Sequence, residues 1–134
     1  MRLLLASLAA AVSLAPPGPP PKIGPSGPPP AWIEVGGRSV WLAYSSYCWR
    51  TRTKTLCADY VPPSYRKDIP TVRARRGEAA RLHFGFRPRR VTVGTQKLAP
   101  GRVTRWRVTK AGLALIFVLA PAGDASYVVR VRLR

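Results

Sequence analysis

The chain has 134 residues, one domain's worth, and its 23 Lys and Arg against 5 Asp and Glu leave a net charge of +18 at pH 7. One histidine and two cysteines are too few for a zinc centre, which draws about four ligands. So positive a surface repels its own copies and attracts polyanions over about a Debye length.

Met1-Arg2, the apolar run Leu3 to Leu14 and the small-residue end Ser13-Leu14-Ala15 have the three-part layout of a secretory signal. The run is too short to span a bilayer, which takes about 20 residues. Cleavage after Ala15 would leave Pro16 at the new N-terminus, an awkward product, so a cut elsewhere or an uncleaved anchor are both open. Residues 16–30 include nine prolines and read as a polyproline II spacer, about 3.1 Å per residue; a proline-rich ligand for a groove-binding module is the alternative. The chain thus divides into a signal at 1–15, a linker at 16–30 and a domain at 31–134, secreted or held at the cell envelope.

Trp32 to Val35, Gly36-Gly37 and Arg38 to Tyr44 predict two strands joined by a two-residue turn, since paired glycines supply the positive φ of tight hairpins. Val40, Leu42 and Tyr44 face the core and Trp41 the other side. Cys48 and Cys57 enclose eight residues rich in Thr and basic side chains. In an exported chain an even pair of cysteines is most simply a disulfide. Tyr60 to Pro70 reads as an irregular crossing. Thr71 to Arg75, a turn at Arg76-Gly77-Glu78, and Ala79 to Phe86 predict a second strand-turn-strand. Val72, Ala74, Ala80, Leu82, Phe84 and Phe86 point inward there, and Arg73, Arg75, Arg81 and His83 outward.

Arg87 to Arg90 forms a basic corner before a short strand to Val93. Val103 to Thr109 alternates again, with Thr104, Trp106 and Val108 on one face and Val103, Arg105 and Arg107 on the other. Leu113 to Leu119 is apolar throughout, which predicts a central strand buried on both sides. Tyr127 to Arg134 closes the chain with Arg130, Arg132 and Arg134 outward. Seven or eight short strands at turn spacings predict an all-β fold, an antiparallel Greek-key β-sandwich of immunoglobulin-like type with one disulfide.

Two resemblances bear on this fold. The pattern from Pro70-x-Val72 through Gly77 to Leu82-x-Phe84 resembles the strand pair of cupredoxin-like and immunoglobulin-like domains, although the copper ligands such a likeness implies, two His, a Cys and a Met, are missing. Gly123 to Val129 is similar to the tyrosine corner of immunoglobulin domains, with the Asp124 to Tyr127 spacing one residue short. A third likeness concerns the central motif. Ser46-Tyr47-Cys48-Trp49 with Cys57-Ala58-Asp59 resembles small exported envelope proteins and lipoproteins of bacteria, which implies an exported domain and carries over no activity.

His83 has no flanking carboxylate to orient it, and the acids Glu34, Asp59, Asp68, Glu78 and Asp124 sit mostly at turns or among basic residues, so the chain is expected to be non-enzymatic and without cofactor or metal. Asp59, beside Tyr47, Trp49 and Tyr60, is a candidate to pair with a buried Arg, cap a turn or orient a ligand. The stronger signal is the set Arg73, Arg75, Arg81, Arg105, Arg107, Arg130 and Arg132, with Arg87, Arg89 and Arg90 at the corner. Guanidinium groups on neighbouring strands suit bidentate contact with phosphate or carboxylate. The leading expectation is a monomeric module whose basic sheet face docks to an anionic envelope or extracellular polymer. The alternative is a structural or protein-interaction module using an aromatic patch of Trp41, Tyr47, Trp49 and Tyr60 beside the disulfide loop, with an envelope protein as partner. Nucleic acid is disfavoured because the chain looks exported, and membrane contact is expected only through an uncleaved signal segment.

Overall fold

Gly36 and Gly37 take φ of +61° and +74°, the pair of positive values that closes a two-residue hairpin with the right twist. They join β1 (Trp32–Val35) to β2 (Arg38–Trp41) in antiparallel register, Trp32 opposite Trp41. The computed structural model describes residues 16–21 and 27–134, over which eleven strands form two sheets. The expected signal at 1–15 lies outside the described residues, as do residues 22–26. After the first hairpin come β3 (Ala43–Arg50), β4 (Thr55–Ala58), β5 (Thr71–Ala74), β6 (Ala79–His83) and β7 (Arg90–Val93). The chain ends with β8 (Gln96–Leu98), β9 (Val103–Arg107), β10 (Gly112–Ala120) and β11 (Gly123–Leu133).

The smaller sheet runs β2-β1-β6-β9 and the larger β4-β3-β11-β10-β7-β8. In the larger sheet β5 also pairs with the last part of β11, in parallel, Arg132 opposite Arg73, beyond the stretch of β11 that pairs with β3. All other pairings are antiparallel. The two inner faces share one core that includes Ile33, Leu42, Leu82, Trp106, Ile116 and Tyr127. The all-β, antiparallel, disulfide-bonded architecture read from the sequence is therefore the one present.

Three strands exceed the eight expected: one arises where the first hairpin changes sheet, one in the disulfide loop and one at a sheet edge. The predicted strand Arg38 to Tyr44 breaks at the buried Leu42, whose N–H donates to the Ala31 carbonyl at 2.9 Å. β2 stays in the small sheet and β3 enters the large one. Residues expected only as a disulfide-closed corner then form the hairpin β3–β4, with Cys48 directly opposite Cys57 and bonded to it. β8 is a short edge strand on β7. The predicted strand-turn-strand at 71–86 is also not a hairpin: β5 lies in the large sheet and β6 in the small one, so the turn at Gly77 carries the chain across the core.

The buried tyrosines explain how the proline-rich segment meets the domain. Tyr127 is fully buried, and its hydroxyl donates to the Pro29 carbonyl at 2.8 Å; the Tyr44 hydroxyl donates to Pro28 at the same distance. Buried hydroxyls without partners are costly, and these two prolines offer carbonyls without competing N–H groups. The expected spacer thus ends in residues that satisfy the core. Tyr127 makes no tyrosine corner, because its acceptor lies 98 residues upstream, not a few residues away as in immunoglobulin domains.

Two further expectations change. β10 is not buried on both faces: Ile116, Val118 and Ala120 point into the core, whereas Leu113, Leu115, Phe117 and Leu119 are exposed on the outer face of the large sheet. β10 has a neighbour on each edge, and its outer side chains stay exposed although Val128, beside Leu115 on the same face, is buried. His83 does lie on the outer face of the small sheet, yet it is buried, because the Trp32 ring stacks flat on it at 3.6 Å.

Gly123 starts β11 with φ +147°, and a Cβ there would strike the Cys48 carbonyl. Replacing Gly123 by Ala is therefore expected to lower the unfolding free energy by about 2 kcal/mol or more in denaturant titration. Replacing both cysteines by Ser opens a loop of about ten residues and is expected to cost about 2–3 kcal/mol in the same measurement.

Candidate functional site

Strand pairing divides the predicted arginine plate into two faces. On the small sheet, Arg81 stands directly opposite Arg105, and Arg107 follows one row along, opposite Ala79. Arg81 also meets Glu34 at 3.6 Å, and Arg107 donates to the Gly77 carbonyl at 2.8 Å. On the large sheet, Arg73 and Arg132 are cross-strand neighbours, with Arg130 one row along beside Leu113. Arg75 extends the same alternation, its own N–H held by Glu78 at 2.8 Å. Arg90 lies opposite Leu119 at the far end of β10, next to the exposed Arg89 and Arg87 in the preceding corner.

Carboxylates do little to neutralise these groups. Among the described residues there are two salt bridges, Arg81–Glu34 and Arg66–Asp68. The cross-strand pairs Arg81/Arg105 and Arg73/Arg132 place like charges on facing positions of neighbouring strands, an arrangement that is unfavourable in isolation and that an anion bound by both would relieve.

The cysteine motif distributes its side chains over three environments. Trp49 is buried against Phe86, with ring centroids 5.1 Å apart, and belongs to the core. Tyr47 is half-buried between Tyr44 and Tyr60, at 6.0 and 6.4 Å. Asp59 is exposed past the end of β4 and makes no salt bridge among the described residues, so the expected partnership with a buried Arg is not formed. Trp41 sits on the outer side of the small sheet. The four aromatics expected to share a patch are therefore split: Trp41 and Tyr60 line a cleft of about 370 Å³ with Pro19, Pro21, Arg66 and Asp68, and Trp49 does not.

Arg66 organises that cleft, although nothing in its immediate neighbours Tyr65 and Lys67 singles it out. Its guanidinium grips Asp68 bidentately, Nε to Oδ1 at 2.8 Å and Nη2 to Oδ2 at 2.6 Å, while Nη1 donates to the Tyr44 carbonyl and the plane lies 5.0 Å from the Tyr60 ring centroid. The bond from Arg66 holds the Asp68 carboxyl below its ordinary value. The Arg-x-Asp spacing in an extended stretch, where alternate residues share a side, is the signal that could have identified the pair. Trp41 closes the cleft by donating its indole N–H to the Gly18 carbonyl at 3.3 Å.

His83 is the sole histidine, and its environment suits a structural group. Its Nε2 is buried without a hydrogen-bond partner. Burial lowers its pKa, an effect that Glu34 opposes and Arg81 reinforces. No family model, curated protein or solved structure matches this chain.

The depressed His83 pKa fixes the sign of a pH effect. The unfolded chain takes up a proton near the ordinary value of 6.5 while the folded chain resists it, so this contribution to stability is present above 6.5 and declines as pH falls from there through the lower folded value. Denaturant titrations between pH 7 and 5 are expected to show this loss. In the His83→Phe variant, which keeps a ring on Trp32, the difference between wild type and variant should track the same pH window.

Proposed function

We propose that this protein is an exported, non-enzymatic binding module whose basic sheet faces hold an anionic envelope or extracellular polymer. The observation that carries this reading is the placement of Arg81 opposite Arg105 and of Arg73 opposite Arg132 on neighbouring strands, on the outer faces of the sheets in a chain of net charge +18. Such rows repeat at the strand spacing of about 4.8 Å, which lets a polymer of phosphates or carboxylates bridge several strands at once. The disulfide agrees with an oxidising compartment, and the likeness of the Ser46–Trp49 and Cys57–Asp59 motifs to small exported envelope proteins points the same way. The protein-docking alternative loses its central residue, since Trp49 packs in the core.

Retention on immobilised heparin tests the proposal. Elution is expected at moderate salt, because the Debye length contracts from about 10 Å at 0.1 M to about 3 Å at 1 M. The triple variants Arg73/Arg130/Arg132→Gln and Arg81/Arg105/Arg107→Gln should each elute at lower salt than the wild type, the larger shift naming the main face. Retention that ignores salt, or both variants eluting with the wild type, sinks the proposal.

A further inference from the structure

The outer face of the seven-stranded sheet carries a feature that polymer binding does not use. Leu113, Leu115, Phe117 and Leu119 stand in one line along β10 and are 40%, 45%, 36% and 36% exposed. At two residues per step the line is about 20 Å long, and contiguous apolar surface of this kind marks a contact site. Its border is mixed, with cations towards both ends of the line and Val128 opposite Leu115 and Ser126 opposite Phe117 in the middle. Arg130 lies opposite Leu113, Arg90 opposite Leu119, and Lys97 opposite Thr92, which itself faces Phe117. Arg73 and Arg132 continue the border beyond Arg130. Asp124, opposite Leu119 on the other side, is the one acid in these rows.

We propose that this face seats on an anionic lipid bilayer, with the four apolar side chains entering the boundary between headgroups and acyl chains and the bordering arginines and lysine lying on lipid phosphates. An apolar strip with a basic rim is what an interfacial membrane surface requires. Arg and Lys stems can lie along the apolar zone while their charges reach the phosphates, and basic residues near an anionic leaflet are drawn to it. A second copy of the chain fits poorly, because an isologous contact would set each cationic border against its twin. A protein partner fits less well than lipid, because the stripe has neither Trp nor Tyr, the side chains that usually anchor protein interfaces. A soluble polymer offers nothing to four apolar side chains, so the inference goes beyond the polymer reading while sharing its charge.

Co-sedimentation of the full chain with phosphatidylglycerol–phosphatidylcholine vesicles, against pure phosphatidylcholine vesicles, tests it. The wild type is expected to partition onto the anionic vesicles, and the Leu115→Ser/Phe117→Ser variant to lose at least about tenfold in partitioning. Val103→Ser, which removes a 48% exposed apolar side chain from the other sheet, should change nothing. The N-terminal apolar run is intact in every variant and its share is read from the neutral vesicles, so a double variant that keeps the wild type's excess on anionic over neutral vesicles overturns the proposal. So does a wild type that is dimeric without lipid and becomes monomeric in the double variant, since that assigns the stripe to a second copy. A separate measurement needs no loss of apolar packing: Phe117→Trp should add fluorescence that brominated acyl chains quench beyond the wild-type level, and equal quenching rejects the idea. Heparin elution of the double variant should match the wild type, so loss of vesicle binding with heparin retention unchanged separates this proposal from the polymer reading, which fails on its own if heparin retention ignores salt.

Discussion

Hydrogen bonding along both edges of β11 is the constraint on which the rest of the structure depends. One edge is filled by β10 from Gly123 to Val131 and the other first by β3 and then by β5. A strand so held has its register fixed from three directions, and a slip by one residue would turn Tyr127, Val129 and Val131 out of the core. The close approach of Gly123 to the Cys48 carbonyl sets where this strand begins. The register shift between Ala125 and Tyr127 absorbs the mismatch with β3, and the Tyr127 hydroxyl fastens the segment before β1 to the middle of the same strand. The segment before β1 and the last strand therefore stabilise one another.

That pairing also decides the charge pattern. Because β5 runs parallel to β11 beyond the end of β3, Arg73 comes to lie beside Arg132, far apart in sequence though they are. Because β6 lies between β1 and β9, Arg81 has Glu34 on one side and Arg105 on the other. The same strand that meets one carboxylate thus presents an unbalanced guanidinium to its other neighbour. Like charges on facing positions of neighbouring strands are unfavourable, the more so the less salt screens them, and a bound anion would offset that cost.

The legible part of the fold was its alternation. Val103 to Arg107 reads in–out by residue type and folds that way, with Thr104 and Trp106 buried and Val103, Arg105 and Arg107 exposed; the paired glycines gave the first hairpin for an equally local reason. What stayed hidden depends on partners distant in sequence. An in–out pattern is the same whether β5 and β6 pair with each other or face each other across a core, so the change of sheet at Gly77 left no local mark, and neither did the break at Leu42. The ties from Tyr44 and Tyr127 to prolines could not be read from spacing at all. For the arginines, alternation gave the outward direction of each, but whether they formed one face or two was a question of strand order. His83 shows the same limit: its facing was readable, but the Trp32 ring that covers it was not.

β10 carries this reasoning to its physical end. A strand that is apolar at every position implies an apolar environment on both sides, and the residues from Leu113 to Leu119 meet that expectation on the core side alone. Exposed alternate positions in a soluble antiparallel sheet are ordinarily polar, as on β9, where Arg105 and Arg107 occupy them. Neighbouring strands supply Arg90, Thr92, Ser126 and Arg130 on the same outer face, together with the buried Val128 beside Leu115, so the face is apolar along β10 and Val128 and charged towards the two ends of the line. An occupant of this face would have to offer an apolar and an anionic medium together. A contact that is apolar in the middle and anionic around it does so, because each kind of side chain then meets the medium in which it is most stable.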